Sequence, residues 1–391
     1  MSSTSQRPAG PGRVLVTDGE FKHTLGIVRR LAERGHEVHL LARSDRAPAV
    51  HSRAVRRWYP APASGTPEFD ARLVEIAGPL APVSLVPVGS GAMASADRLR
   101  GTLPTGVAVA LPSESSFAIA NDKARSAALA KSLGVRTPHE RVVTSAREAA
   151  AALRELGLPL VLKSSREEGR KVLRYVRAES QLAPAYEAVR ALAHDGVLAQ
   201  EWIAGEGFGF CGLWWEGVRQ RAFMHRRVRE WPPSGGTSAA AESVPDAPAL
   251  ERAGGTLLDA LRWHGVAMVE FKGALERAEF TLIEINAKFW GSLDVALAAG
   301  VDFAGDLVEL LEGRTLPPQP PVARVRFSWP LGGDLWHGLF VPGALGAVLG
   351  DALSPAVKHN FQLGDPLPHL YEAIQWARST PGAAREQREL A

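Results

Sequence analysis

Short apolar blocks alternate with helical spacing through the first hundred residues. Residues 13–17, Arg-Val-Leu-Val-Thr, read as a buried strand. Leu25, Val28, Leu31 and Ala32 recur on one face of a helix over about 22–34, and Gly35 ends it. Residues 37–42 read as a second strand. Strand, helix and strand at this spacing imply a parallel pair with a crossover helix. The apolar runs 83–88 and 107–111 extend the sheet, so residues 13–112 read as a doubly wound α/β domain. Its first loop, Thr17-Asp18-Gly19-Glu20-Phe21, lacks G-x-G-x-x-G, so no dinucleotide site is assigned. A loop in that place still lies at the sheet's carboxyl edge, where a small ligand can sit.

The pattern changes after residue 112. The Ala-rich stretch 118–133 predicts one helix, stopped by Gly134 and Thr137-Pro138, that leads into a second region. There 160–163 and 172–176 read as short strands around a polar loop, 179–194 as a helix and 197–203 as a strand. Residues 208–215 and 218–223 predict a hairpin about Glu216-Gly217. The stretch 231–244, with Pro232-Pro233-Ser234-Gly235-Gly236, predicts a long loop. A helix over 248–263 follows, then strands 266–272 and 279–285 joined by a turn near 273–277, then a helix over 292–313. A proline cluster at 316–321 closes this region, and 322–391 shows no pattern that translates into chemistry. No internal repeat is visible.

Composition narrows the class. The 46% hydrophobic and 22% charged content fits a folded soluble chain, and 391 residues suffice for two or three domains. A net charge of +3 without a basic run carrying interleaved aromatics argues against a nucleic-acid partner. The single Cys211 excludes an intrachain disulfide and a cysteine metal site, and fits a reducing cytoplasm. No stretch of about 20 apolar residues is present, so no membrane span is expected. The first twelve residues are polar and Gly/Pro-rich, lack a signal-peptide core, and read as a disordered tail.

The chemistry concentrates where strands end on acids that the apolar pattern does not need. Glu284 and Asn286 are two apart, so both leave one face of an extended segment, and a hairpin partner can bring Glu270 onto that face. Two carboxylates and an amide oxygen form a hard, all-oxygen set of the kind magnesium prefers, with phosphate oxygens completing it. Lys163 ends an apolar strand before the loop Ser164-Ser165-Arg166-Glu167-Glu168-Gly169, from which a lysine can reach phosphate oxygens. No G-x-x-x-x-G-K-[ST] occurs. Lys123 follows Asn121-Asp122, and Gln200-Glu201-Trp202-Ile203 closes a strand before Ala204-Gly205-Glu206-Gly207. Free backbone groups at a strand end can read a purine edge, and a following carboxylate can hold ribose hydroxyls. Each feature alone also fits a solvated strand end.

Their order resembles the ATP-grasp superfamily, within its carboxylate–amine ligases, over roughly residues 13–313. The matching elements are an α/β lead domain, Asn121-Asp122-Lys123, Pro159-Leu160-Val161-Leu162-Lys163, 200–206, Met268-Val269-Glu270-Phe271-Lys272 and Ile283-Glu284-Ile285-Asn286-Ala287-Lys288-Phe289-Trp290-Gly291-Ser292. The implied fold is α/β plus α+β. A Rossmann-like lead domain (13–112) precedes an ATP-grasp fold (113–315), with a small lobe at about 135–203, a large lobe at about 204–315 and a C-terminal appendage at 316–391. The resemblance implies that Lys123 and Lys163 contact ATP phosphates, that Glu201 and Ile203 lie at the adenine, and that Glu206 takes the ribose. Glu270, Glu284 and Asn286 would hold magnesium, or manganese in its place. Arg226 or Arg229 would stabilise an acyl phosphate, with Lys288 beside them. Lys288 stands where this family usually carries arginine, and the loop acids Glu167 and Glu168 stand where it is richer in Gly and Ser.

The implied activity is ATP-dependent joining of a small-molecule carboxylate to an amine through an acyl phosphate. The Gly-bearing stretch 231–244 would act as lid. A carboxylase, a kinase on the same fold and a non-catalytic nucleotide sensor remain as alternatives. Trp214, Trp215, Trp231 and Trp290 either line an acceptor pocket or belong to the core. Trp329, Trp336 or His337 would cap the site from the C-terminal region, and the family resemblance implies a homodimer through the lead domain.

Overall fold

The computed structural model describes residues 12–164, 173–193, 196–233 and 235–390. The first sheet follows the apolar blocks. Strands β1 (Arg13–Val16), β2 (Glu37–Ala42), β3 (Val55–Pro60), β4 (Val83–Val86) and β5 (Val107–Ala108) pair in parallel in the order β3-β2-β1-β4-β5. The order reverses between β1 and β4, so their carboxyl ends flank the switch-point crevice where open α/β sheets bind ligands. Helices α1 (Lys22–Glu33), α2 (Pro67–Leu80) and α3 (Ser90–Arg98) complete the domain. The starts of α1 and α3 follow β1 and β4 and therefore border that crevice.

The helix expected over 118–133 is two helices, α4 (Glu114–Ala120) and α5 (Lys123–Ser132). The Asp122 carboxylate accepts the Arg125 N–H and caps α5. A capping side chain offers the backbone an alternative to continuing the helix, which composition alone does not reveal.

A four-stranded antiparallel sheet, in the order β6-β9-β7-β8, comprises β6 (Glu140–Val143), β7 (Leu160–Ser164), β8 (Leu173–Val176) and β9 (Val197–Glu201). It packs on α6 (Ala146–Leu156) and α7 (Leu182–Arg190) around its own core of Leu160, Leu162, Tyr186 and Val189. The helix expected over 179–194 is shortened to α7 by a 3-10 turn at Glu179–Gln181.

The largest sheet has seven strands. These are β10 (Glu206–Trp215), β11 (Val218–Trp231), β12 (Thr237–Ser243), β13 (Gly265–Ala274), β14 (Glu279–Asn286), β15 (Arg326–Ser328) and β16 (Val357–His359), in the order β14-β13-β10-β11-β12-β15-β16. Two expectations are corrected here. The hairpin's second strand continues to Trp231, and most of the expected loop 231–244 is strand β12, paired with β11 and β15. Ser238, Ala239, Ala240 and Ala241 are buried, so this segment satisfies its backbone as sheet. Only the turn at 232–236 is left as loop, and Ser234 lies outside the described residues. Helix α8 (Pro248–Ala260) packs on the sheet, and the helix expected over 292–313 is split into α9 (Leu293–Ala298) and α10 (Phe303–Leu311). Gly300 at positive φ ends the first, and the Asp302 side chain caps the second.

Residues after 316, without a readable pattern, supply β15 and β16 to the large sheet and add α11 (Leu335–Phe340), α12 (Leu345–Leu353) and α13 (Leu367–Leu390). One hydrophobic cluster runs from Val14 and Leu40 of the first sheet, through Leu31 of α1, to Cys211, Met268, Trp290 and Phe327 of the large sheet. The two sheets thus share a core. Ion pairs reinforce the joint: the partly exposed Arg30 and Arg34 of α1 both reach the buried Asp302 (2.6 Å), and Arg34 reaches the buried Asp306 (2.8 Å).

Candidate active site

Opposed residues of an antiparallel pair share a face. Met268 opposes Asn286 and Glu270 opposes Glu284, so the two acids and the amide lie on one face of the β13–β14 hairpin. That face continues across the sheet, because Gly209 opposes Glu270 on one side and His225 on the other. Glycine is required at that crossing. A Cβ at Gly209 would lie 2.2 Å from the His225 ring, and one at Gly207 would lie 2.9 Å from Arg227 Cδ. His225 is fully buried, meets Ser292 Oγ (3.0 Å) and Cys211 Sγ (3.7 Å), and burial lowers its pKa to about 3.

The arginine at this face is Arg227, which the sequence reading did not select. Strand β11 carries a register shift: Arg227 opposes Ala241, and Arg229 opposes the adjacent Ala240. The extra residue turns Arg229 to the opposite face, where Arg226 already lies opposite Glu242. Arg226 is engaged by Glu242 (2.5 Å) and Glu206 (3.1 Å). Arg229 is buried between Asp334 (2.6 Å) and Asp351 (2.5 Å). Arg227 instead donates to Glu270 Oε2 at 2.6 Å and pairs with Glu230 at 3.4 Å. Burial works against its charge, but Glu270 and Glu230 outweigh it and hold the guanidinium above the ordinary arginine range.

The hairpin face forms one wall of a cavity of about 550 Å³. Glu270, Glu284, Asn286 and Lys288 line it, with Arg227 above them, Leu173 and Arg174 of β8 on another side, and the Pro232–Gly236 turn at a third. Phe21, Lys22, His23 and Ser90 of the lead domain close the far end, from the switch-point crevice. Lys288 donates to Ser90 Oγ (2.5 Å) and so ties the hairpin wall to the start of α3. The break before α5 places Lys123 Nζ 3.7 Å from Glu284 Oε2. Lys123 thus stands beside Glu284, while Glu270, Glu284, Asn286 and Lys288 lie along one cavity.

Other expected residues stand apart from this cavity. Lys163 is buried in the small sheet and donates to Gln200 Oε1 (3.0 Å). The Glu201 carboxylate accepts from the His139 N–H, and its own N–H donates to His139 O, both at 2.9 Å. Ile203 is half-buried past the end of β9, and Glu206 opens β10 paired with Arg226. None of these four lines the cavity. Most of the loop expected at the phosphates, 165–172, lies outside the described residues.

The tryptophans divide between the two readings. Trp214 is core, whereas Trp231 and Trp290 line the cavity. Trp336 stacks on Trp231 (6.0 Å between centroids), His337 meets Glu230 O (2.9 Å), and Trp329 lies under Lys22. The C-terminal region thus buttresses the cavity from behind.

Lys22 and His23 also escaped the sequence reading. The available signal was their place at the start of the helix that follows the first strand's loop. Lys22 Nζ donates to Ser238 O (2.5 Å) and sits 4.1 Å over the Trp329 ring. Burial lowers the pKa of Lys22 to about 8 and that of His23 to about 3.

The hairpin residues fit a divalent cation. They offer two carboxylates in register, and Asn286 donates its N–H to Glu284 Oε1 (3.4 Å), which turns its amide oxygen out as a third donor. Among the described residues no group of three or more His, Cys, Asp or Glu is arranged to hold a metal. An ion here would therefore draw its remaining ligands from phosphate and water, as magnesium commonly does.

No family model matches the chain. The chain is 31% identical over 222 residues to a D-alanine–D-alanine ligase of Verminephrobacter eiseniae, a match covering 52% of this chain and 66% of that enzyme. It is 38% identical over 91 residues to the D-alanine–D-alanine ligase of Marinobacter nauticus, covering 23% of this chain and 28% of that enzyme. The chain thus spans less than a third of the Marinobacter relative's length and just under two thirds of the Verminephrobacter one. A crystal structure of the ADP complex of an N5-carboxyaminoimidazole ribonucleotide synthetase superposes with a TM-score of 0.67 over 98% of this chain and 99% of that one, at 14% identity. The chain has the fold of the ATP-grasp enzymes and resembles D-alanine–D-alanine ligases over part of their length.

Proposed function

We propose that the protein joins a small-molecule carboxylate to an amine at the expense of ATP. The carboxylate takes the γ-phosphoryl group, giving an acyl phosphate and ADP; the amine then attacks the acyl carbon and phosphate leaves. The observation that carries this reading is the single face bearing Glu270, Glu284 and Asn286, with Lys123 and Arg227 on the two acids and Lys288 in the same cavity. Phosphoryl transfer needs positioning and charge neutralisation more than covalent chemistry, and this wall supplies both. Magnesium held by the two glutamates and the asparagine would neutralise the triphosphate. Arg227 is fixed by Glu270 and Glu230, so its guanidinium can steady charge developing on the transferred group without reorganising. It takes the role first given to Arg226 or Arg229. Lys288 keeps the charge of the family's arginine and spends one donor on Ser90.

In this reading Lys163, Glu201, Ile203 and Glu206, on the small sheet and at the start of β10, would hold the nucleotide, and the acids of the cavity wall would hold its magnesium. The Gly235–Gly236 turn closes over the cavity in place of a longer lid and keeps water from the acyl phosphate. The test is ADP release by the full chain with Mg-ATP, a pool of carboxylates and a pool of amines. ADP formation that requires both pools supports a ligase. ADP formation with carboxylates alone, unaffected by amines, would replace this reading with a kinase.

A further inference from the structure

The far end of the cavity has a surplus of hydrogen-bond donors. His23 is 8% exposed, lines the cavity, and finds no partner for either ring nitrogen among the described residues. Trp290 is 2% exposed, also lines it, and leaves its indole N–H unpartnered among them, as does Nε of Arg227. Lys22 makes one hydrogen bond, to the Ser238 carbonyl. A buried donor without an acceptor is costly, so a set aimed at one space marks where an acceptor-rich ligand belongs.

Local structure points to the same chemistry. Helix α1 has twelve residues, no acid in its first turn, and an N-cap, Phe21, with no side chain to offer its amides. Its first amides gain no side-chain cap, and they lie next to the Lys22 ammonium, whose charge is partly offset by Asp294, Asp334 and Glu372. His23 stays neutral because burial disfavours its charge, so it presents one N–H beside that ammonium. The surroundings are apolar: Phe21 stacks on His23 (5.6 Å between centroids, 6° apart), and Trp231, Phe289 and Trp290 complete the lining.

We infer that the lead-domain end of the cavity is a carboxylate-binding subsite, formed by Lys22, His23 and the Trp290 N–H, for an acid carried on an apolar, ring-sized body. The subsite deepens the ligase reading by giving its substrate class, and it rests on that reading only for the role of the bound acid. An amide of the same shape brings an NH₂ group against the Lys22 ammonium and the Trp290 N–H, which can only donate, and is disfavoured for that reason.

The test is calorimetric titration of the full chain with 3-phenylpropionate and with 3-phenylpropionamide, with and without saturating Mg-ADP. The acid is expected to bind at least about tenfold more tightly than the amide. Lys22→Met and His23→Phe are each expected to weaken the acid by about tenfold while leaving the amide and Mg-ADP unchanged. Trp290→Phe provides a third variant if either of these melts early. Equal binding of acid and amide, binding of neither, or acid affinity unchanged in folded variants would overturn the subsite. Failure of Mg-ADP to bind, with acid and amide still discriminated, would remove the ligase reading and leave the subsite standing.

Discussion

The two regions that bear the candidate site are built differently. The large sheet shares one hydrophobic core with the lead domain, from Val14 through Leu31 to Trp290, and Asp302 clamps Arg30 and Arg34 across the joint. The small sheet has a separate core, in which Leu160, Leu162, Tyr186 and Val189 pack among themselves. The difference teaches where precision is needed. The wall that would hold metal and phosphate is set into a core spanning two sheets. Of the residues assigned to the nucleotide, Lys163 and Glu201 sit on that smaller unit, with its separate core.

The largest effect should separate the two regions by chemistry. Glu284→Gln should lower ADP formation at least about a hundredfold with the fold intact, because it removes a carboxylate from the proposed metal wall. Glu201→Gln keeps an oxygen for the His139 N–H and should cost less than about threefold. Steady-state ADP assays on both variants check this, and equal losses would erase the distinction.

Stability should separate them next. Leu31→Ala in the shared core and Leu160→Ala in the small core should each cost about 2–5 kcal/mol locally. Residues 135–203 contain one of the chain's ten tryptophans, Trp202, so Leu160→Ala should leave most of the tryptophan-detected melt unmoved, whereas Leu31→Ala should lower it. Hydrogen exchange should show the Leu160→Ala loss confined to the small sheet and its helices. A tryptophan melt shifted equally by both would mean that the cores unfold as one.

A smaller effect concerns pH. His23 has a folded pKa of about 3, below its ordinary value of 6.5. Between those values the unfolded chain binds a proton that the folded chain refuses. Stability from this group is therefore full above about pH 6.5 and falls as pH drops through that value. From pH 7.5 to 5.5 the loss is about 1.4 kcal/mol, and His23→Phe should remove that part of the pH dependence in urea titrations. The smallest expected signal is added exchange protection of 197–201 on Mg-ADP binding, with the core strands of the large sheet unchanged. Protection spread evenly over both sheets would contradict a separately responding small unit.

Much of the architecture was legible because its signals are local. Alternation and apolar runs located most strands, and the two-residue spacing of Glu284 and Asn286 placed them on one face whatever their surroundings. Strand β12 was missed because a run of Ser, Ala and Glu has no strand pattern of its own and pairs only because β11 and β15 offer it partners. The break before α5 was missed because a single aspartate capped a helix inside an Ala-rich stretch.

What the sequence determined by itself was that Glu284 and Asn286 share one face of a strand, since that depends only on their two-residue spacing. Tertiary structure alone decided which arginine faces the cavity, because a one-residue bulge in β11 turns Arg229 away from the face that holds Arg227. It also decided that Lys22 and His23, nearly 250 residues before Glu270 in the chain, line the same cavity. That juxtaposition rests on a shared core between two sheets, and no periodicity within either sheet encodes it.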